Sequence, residues 1–313
     1  ALENVACAIL ESGELYCWGQ NIWGSLGYGD HRHREKPDTQ PIDLHGHKAV
    51  QVSVAPAVIG PTICSILNDF SLRCWGLGAL GYGREEVKSK PDPKAIDFDG
   101  KRVLQVAGGY GTTCVLLDDR HVYCWGSIIV KGLSVQGYGD LKERYVPPRQ
   151  SLDFGGKRVS KIAMRDLHAC ARLEDGVLRC WGDNSFGQLG YGDKKYRGTP
   201  GEDIDLSGDE ARDVVSGSDY TCAILMDGSM RCWGRNLYGQ LGYPDLRERL
   251  KPDSSTLNFD GRKVKQLSLG EQRGCAVLDD RTIRCWGAYT EVFPGDPFAD
   301  PLKVPLFESA LRP

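Results

Sequence analysis

The most reactive side chains in this sequence are twelve cysteines, and they fall into six pairs of one spacing. The pairs are Cys7 and Cys17, Cys64 and Cys74, Cys114 and Cys124, Cys170 and Cys180, Cys222 and Cys232, and Cys275 and Cys285. Thiols in such a pattern either ligate zinc or close disulfides. Zinc sites bring two ligands within a few residues of one another and gather four in a cluster. Every pair here is ten residues apart, and only six histidines accompany them. The spacing points to structural disulfides, and so to an oxidising compartment, extracellular or at the cell surface.

Other chemistries find less support. His31 and His33, then His45 and His47, form two H-x-H pairs that would suit zinc or copper. They lie in a charged connection beside Arg32 and Arg34 and read as solvated, so no metal and no cofactor is expected. Asp118-Asp119, Asp279-Asp280 and Glu174-Asp175 sit at turns, where aspartate bonds its own backbone. Asp30, Asp140 and Asp193 recur after Gly-Tyr-Gly, again as turn residues rather than calcium ligands, which would cluster in one loop. Neither a nucleophile elbow nor a phosphate-cradling glycine loop occurs, and a non-catalytic protein is expected. The Lys- and Arg-rich connections are interleaved with Glu85, Glu86, Glu143 and Glu248, and the net charge is −3. That is a mixed-sign rim, unsuited to nucleic acid. The apolar region 50–67 is broken by Pro56 and Pro61, which speaks against membrane insertion.

The elements that position the cysteines can be worked out from the first copy. In 7–17, two apolar runs flank Glu11, Ser12 and Gly13, which suit a three-residue hairpin loop ending in left-handed glycine. That register sets Cys7 opposite Cys17 in a non-hydrogen-bonded pair, where side chains come closest. A two-residue turn would slip the pairing by one and point the cysteines to opposite faces. Ile9 then faces Leu15, and equivalent apolar pairs recur; only Arg172, opposite Leu178, breaks the pattern. Leu10, Leu67, Leu117, Leu173, Leu225 and Leu278 mark the other face, so both faces of the hairpin need cover. The turn glycine is kept at Gly13, Gly176 and Gly228 and replaced by Phe70, Arg120 and Arg281, each after an aspartate, with some strain expected.

Six of the seven tryptophans follow the second cysteine, at intervals of 57, 50, 56, 52 and 53 residues. A period near 50 marks a solenoid, propeller or array. After Cys-Trp-Gly each unit continues with a glycine-rich stretch, a charged proline-containing connection, and a short strand such as Ile42-Asp43-Leu44. A further strand such as Val103-Leu104-Gln105-Val106-Ala107 follows, and the next hairpin completes four strands.

The run LEDGVLRCWGDNSFGQLGYGD, and LMDGSMRCWGRNLYGQLGY from Leu225, resemble the regulator-of-chromosome-condensation repeat, whose core is a turn glycine, Trp-Gly, Asn and Gly-Gln-Leu-Gly. The resemblance covers nearly the whole chain and implies an all-β fold, a β-propeller of four-stranded blades, commonly seven. Its disulfides are similar to those of an exported branch that includes bacterial surface proteins, and the ectodomain of plant Crinkly-type receptor kinases is also similar, with shorter repeats. The chain opens in mid-repeat, which suggests a mature form or an excerpt. Six hairpins and six short outer strands favour six blades in a single domain spanning 1–313, with seven if a flank supplies one. The tail 301–309 is expected to complete the first blade, leaving no sheet edge bare.

Scaffold positions repeat, whereas binding positions need not. The Trp-to-Tyr interval is ten residues in the first, fourth and fifth units, seven in the second and thirteen in the third, where Ile128, Ile129 and Val130 occupy the added loop. Trp23, Phe186 and Tyr238 share one repeat position, so they are placed on a common ring. These six residues are the candidate partner-binding set, weighed against simple packing on the neighbouring blade. The expected role is a secreted or cell-surface binding and assembly scaffold for a protein partner or further copies of itself. A carbohydrate-binding lectin and a secreted enzyme inhibitor are the alternatives.

Overall fold

The computed structural model describes residues 5–56, 60–126, 134–257 and 259–288. Ile128, Ile129, Val130 and the tail 301–309 lie outside them. Every regular element among the described residues is a β-strand. The chain divides into two compact units, residues 1–167 and 168–313. The first holds β1 (Val5–Ile9), β2 (Leu15–Gly19), β3 (Ala49–Ala55), β4 (Thr62–Leu67), β5 (Leu72–Ala79), β6 (Glu85–Lys88), β7 (Val103–Gly109), β8 (Thr112–Leu117), β9 (Val122–Gly126) and β10 (Val159–Arg165). The second holds β11 (His168–Leu173), β12 (Leu178–Gly182), β13 (Ala211–Ser216), β14 (Tyr220–Leu225), β15 (Met230–Gly234), β16 (Val264–Leu269), β17 (Arg273–Leu278) and β18 (Ile283–Gly287). Six cysteine hairpins lie in six antiparallel sheets, with one disulfide in each.

The hairpin register is the one the turn chemistry requires. Cys7 lies opposite Cys17 and Ile9 opposite Leu15. Leu10 N–H donates to Glu14 O and Gly13 N–H to Leu10 O, closing a three-residue loop with Gly13 at φ +85°. The joined Cα atoms are 4.0–4.1 Å apart in all six copies, the close approach of a non-hydrogen-bonded pair. Phe70, Arg120 and Arg281 adopt the glycine conformation at φ 65°, 69° and 68°. The preceding Asp69, Asp119 and Asp280 each accept the backbone N–H two residues on. A side chain in that region costs roughly 1–2 kcal/mol, partly offset by the lower unfolded-state entropy of a non-glycine residue. Arg281→Gly is therefore expected to stabilise the protein by about 0.5–1 kcal/mol, read as a higher midpoint in urea.

The fourth strand of most blades is reduced to bridges. Gly19, Gly126, Gly182 and Gly234 pair with Arg34, Arg144, Arg197 and Arg249, and among the described residues only β6 forms a ladder beside its hairpin. Prolines such as Pro37, Pro147, Pro200 and Pro252 in these connections deny the edge a continuous run of donors. The short outer segments also differ from expectation. They stay with the hairpin before them: Ile42, Ile96, Leu152, Ile204 and Leu257 donate to Leu15, Leu72, Val122, Leu178 and Met230 carbonyls. The apolar face of each segment fills the gap over its own hairpin, so it does not open the next blade.

Beneath, the cores alternate hairpin leucines with cysteines and tryptophan, as in the cluster of Leu15, Cys17, Leu26, Ile42, Leu67 and Trp75. Leu67, Leu117, Leu173, Leu225 and Leu278 are buried as expected, but Leu10 is 48% exposed. Among the described residues β1 has no strand on its other side, and that strand is what covers the equivalent leucines: Leu67 faces Ala49, and Leu225 faces Ala211. Arg172, the exception on the cysteine face, sends its Nε to the Ala211 carbonyl of the next repeat at 2.5 Å. Bulges at Gln51 and Gln105 let each amide bond both ways to the next strand. Gln51 ties to Val106 O and N at 2.9 and 3.2 Å, and Gln105 to Ile162 O and N at 2.6 and 2.9 Å.

Candidate binding surface

The loops that follow each Trp-Gly are held from inside. Asn21, fully buried, accepts Leu26 N–H at 2.8 Å and donates to Asp30 O at 3.0 Å; Asn184 and Asn236 do the same in their repeats. The tyrosine of Gly-Tyr-Gly pins the loop to the disulfide hairpin. Tyr28, Tyr82, Tyr138, Tyr191 and Tyr243 hydroxyls accept the N–H of Cys17, Cys74, Cys124, Cys180 and Cys232. Burial pushes the hydroxyls of Tyr82, Tyr138 and Tyr191 up to about 12, so they stay protonated at any physiological pH.

Over four of these rings lies an arginine, 3.7–4.3 Å from ring centre to guanidinium carbon: Arg34, Arg144, Arg197 and Arg249. Each arginine clasps the aspartate four residues before it, Asp30, Asp140, Asp193 and Asp245, at 2.9–3.1 Å. The aspartates thus close loops, as the sequence suggests, but through an arginine partner that the repeat motif alone does not announce. The Arg34 and Arg197 hydrogen bonds hold the Asp30 and Asp193 carboxyls down at about 2. A carboxylate held below its unfolded value stabilises the fold above pH 4 and loses that contribution as pH falls toward 2. The thermal midpoint is therefore expected to drop between about pH 4 and pH 2, and the drop should be shallower in Arg34→Gln and Arg197→Gln variants.

On this frame stand the predicted contact residues. Trp23 is 36% exposed and Tyr238 is 43% exposed, whereas Phe186 is half-buried under Arg235, whose guanidinium carbon lies 4.6 Å from the ring centre. Trp23 leans on Gly60, where an added Cβ would come within 2.4 Å of its ring. Trp23 and Phe186 thus each pack against a residue of the next repeat. Phe186 and Tyr238 hold the same place in consecutive repeats of the second unit, and Trp23 holds it in the first. Two residues that sequence reasoning passed over extend the patches: Ile22 is 59% exposed and Leu237 54% exposed. Apolar residues one place before a recurrent aromatic were the available signal.

The histidines are taken singly. His33 Nδ1 accepts Asn21 N–H, His31 lies 2.9 Å from Ile22 O, His45 3.1 Å from Pro91 O, and His47 3.3 Å from Asp69. Among the described residues no three His, Cys, Asp or Glu side chains come together as a metal site.

Comparison with known proteins agrees with this geometry. Two profiles, both described as the regulator of chromosome condensation (RCC1) repeat, match residues 103–127, 159–188 and 211–240, and residues 12–56 and 175–224. The ultraviolet-B receptor UVR8 of Arabidopsis thaliana is 30% identical over 89% of this chain and 62% of its own length. Yeast RCC1 (Prp20), solved bound to Kap60, superposes with a TM-score of 0.73 at 21% identity, over 88% of this chain and 64% of that one. The CRINKLY ectodomain of the Arabidopsis thaliana receptor kinase ACR4 gives 0.51 at 20% identity, over 91% and 76%. The chain thus spans a little over three fifths of the first two relatives.

Proposed function

The chain is an RCC1-repeat β-propeller protein with a disulfide in every repeat hairpin, and from that premise we propose that it is a secreted or cell-surface scaffold that binds a protein partner and catalyses nothing itself. The observation that carries the proposal is the pairing of rigid loops with outward apolar side chains, Ile22 with Trp23 and Leu237 with Tyr238. Loops fixed by buried asparagines and tyrosine pins lose little entropy on binding, and exposed aromatics at their tips supply anchor area. The yeast relative in complex with Kap60 supports a protein as the partner. Six disulfides and the likeness to a receptor ectodomain favour export.

The contact set on this reading is Ile22, Trp23, Leu237 and Tyr238, joined by Phe186 and by Ile128, Ile129 and Val130 of the lengthened third loop. A photo-crosslinking residue in place of Tyr238, used on the source cells, should capture one dominant protein, and the same residue in place of Ser53 should not. Ile22→Ser with Leu237→Ser, and separately Ile128→Ser with Ile129→Ser, should each reduce capture severalfold while the melting temperature holds. Equal capture from both sites, or capture indifferent to all four changes, refutes the proposal.

A further inference from the structure

Among the described residues the sixth hairpin lacks a cover that the other five share. Leu15, Leu72, Val122, Leu178 and Met230 open the second strand of those five and have no exposed surface. The carbonyl of each accepts the N–H of an outer segment at 2.8–3.0 Å. Ile283 holds that place in β18 and is 40% exposed. It lies opposite Val277, two residues from Cys285, in a non-hydrogen-bonded pair whose N–H and C=O turn away from β17. Among the described residues nothing donates to its carbonyl. Beside it Arg284 Nη1 is buried, again with no hydrogen-bond partner among the described residues. Arg179, at the same position in the fourth repeat, donates from Nε to Asp203 Oδ1 at 2.7 Å, one residue before the outer Ile204.

One stretch of the chain, outside the described residues, repeats the pattern of the missing cover. Pro297, Pro301, Leu302 and Val304 are spaced as Pro37, Pro41, Ile42 and Leu44, and Pro91 and Pro252 also stand five residues before Ile96 and Leu257. Its departures from the pattern agree with one another. Asp43, Asp97, Asp153 and Asp205 each accept the N–H two residues on. Here Lys303 replaces that aspartate, and two residues on stands Pro305, which has no N–H to give. Fifteen residues lead from Gly287 to Leu302. That is ample, because Arg34, paired beside Gly19, needs only eight more residues to bring Ile42 to Leu15.

We infer that residues 300–304 cover the sixth hairpin, with Leu302 N–H donating to Ile283 O and the Asp300 carboxylate meeting Arg284. The Leu302 and Val304 side chains then lie over Ile283, as Ile42 and Leu44 lie over Leu15. This gives the tail to the hairpin before it, in the manner of Ile42 and its equivalents, and not to the first blade. Hairpin and tail belong to one compact unit, 168–313. The contact removes aliphatic side chains from water and supplies the acceptor that a buried guanidinium nitrogen lacks. Cys7 is half-buried although Ile42 is seated on its hairpin, and Cys275 keeps its access to solvent in the same way. The aromatic loops of the contact surface take no part.

Hydrogen exchange read by mass spectrometry on the intact oxidised protein tests the assignment. Leu302→Asp should speed exchange in 281–287 about tenfold or more and leave 5–9 within about twofold of the parent. Lys303→Asp, at the place where four repeats carry aspartate, should change neither region. Asp300→Arg and Arg284→Asp should each speed exchange in 281–287 severalfold, and the double reversal should bring it back toward the parent. Leu302→Ala, a milder change that keeps the domain folded if the aspartate variant unfolds throughout, should still act on 281–287 alone. Acceleration of 5–9 in place of 281–287 would give the tail to the first blade and overturn the inference. Exchange in 281–287 that is indifferent to residue 302, or uniform acceleration in Leu302→Ala, would do the same. Charge reversals that fail to compensate would refute the pairing of Asp300 with Arg284.

Discussion

Under excess dithiothreitol at neutral pH the protein is expected to unfold at ambient temperature, with the first and sixth cysteine hairpins opening ahead of the other four. Each disulfide closes a loop whose ends are ten residues apart, worth about 2–3 kcal/mol in the chain-entropy account. Six such constraints together rival the whole stability of a typical domain, about 5–15 kcal/mol. The order follows from burial. Cys64, Cys74, Cys114, Cys124, Cys170, Cys180, Cys222 and Cys232 are at most 1% exposed, so a reductant reaches them only after local opening. Cys7 is half-buried, as are both Cys275 and Cys285. Pulsed alkylation followed by peptide mapping should find the 7–17 and 275–285 bonds open first, and the central four should open together with loss of the strand signal in circular dichroism. Uniform labelling from the outset, or a full melting transition surviving complete reduction, would contradict this.

Trp233→Ala is expected to remove about 3–5 kcal/mol, the range for truncating a fully buried large aromatic. Trp233 has no exposed surface, and its Nε1 donates to Gln188 O of the preceding repeat at 3.0 Å. Its ring rests on Gly190, where an added Cβ would lie 2.7 Å from Nε1 and where φ is +86°. Gly190→Ala therefore meets both backbone strain and overpacking, about 2–5 kcal/mol together. The two changes should be strongly non-additive, because removing the indole makes room for the methyl group. Gly192→Ala, with φ +82° and no atom within 4 Å of the new Cβ, serves as a control that should lose only about 1–2 kcal/mol. Urea denaturation of the four variants measures all of this; simple additivity of the first pair would show that the glycine does not seat the ring.

Much of the frame was legible because it depends on local chemistry repeated six times. Ten-residue cysteine spacing and a turn glycine determine a hairpin register between them, and the bonded pairs Cys7–Cys17 through Cys275–Cys285 follow. The aspartates of the turns were legible for the same reason. What was not legible involves partners from distant positions. Nothing in Gln51 or Gln105 announces that an amide will bond both ways to a strand about 55 residues on. The shortened second unit hides β6, since Gly76-Leu77-Gly78-Ala79 has weak strand character until it pairs with Glu85–Lys88. The allegiance of Ile42 and its equivalents was misjudged because period-two patterning cannot say which neighbouring sheet an apolar segment will cover. Of the candidate contact residues, the aromatics were visible as departures from the scaffold. Ile22 and Leu237 were not, because an isolated aliphatic residue in a sequence reads equally well as core.

The tyrosine pins and the seated indoles also set how this chain can be cut and rejoined. Tyr28 fastens the glycine loop backward to Cys17, while Trp75 fastens the following hairpin forward onto that same loop through Ser25 O at 3.0 Å. A splice on either side of the loop severs one of these two ties, so no single sequence period is a self-sufficient cassette. A chimera with a foreign repeat needs a loop that brings both the tyrosine and the ring-bearing glycine, and with both present the splice can be phased anywhere along the period.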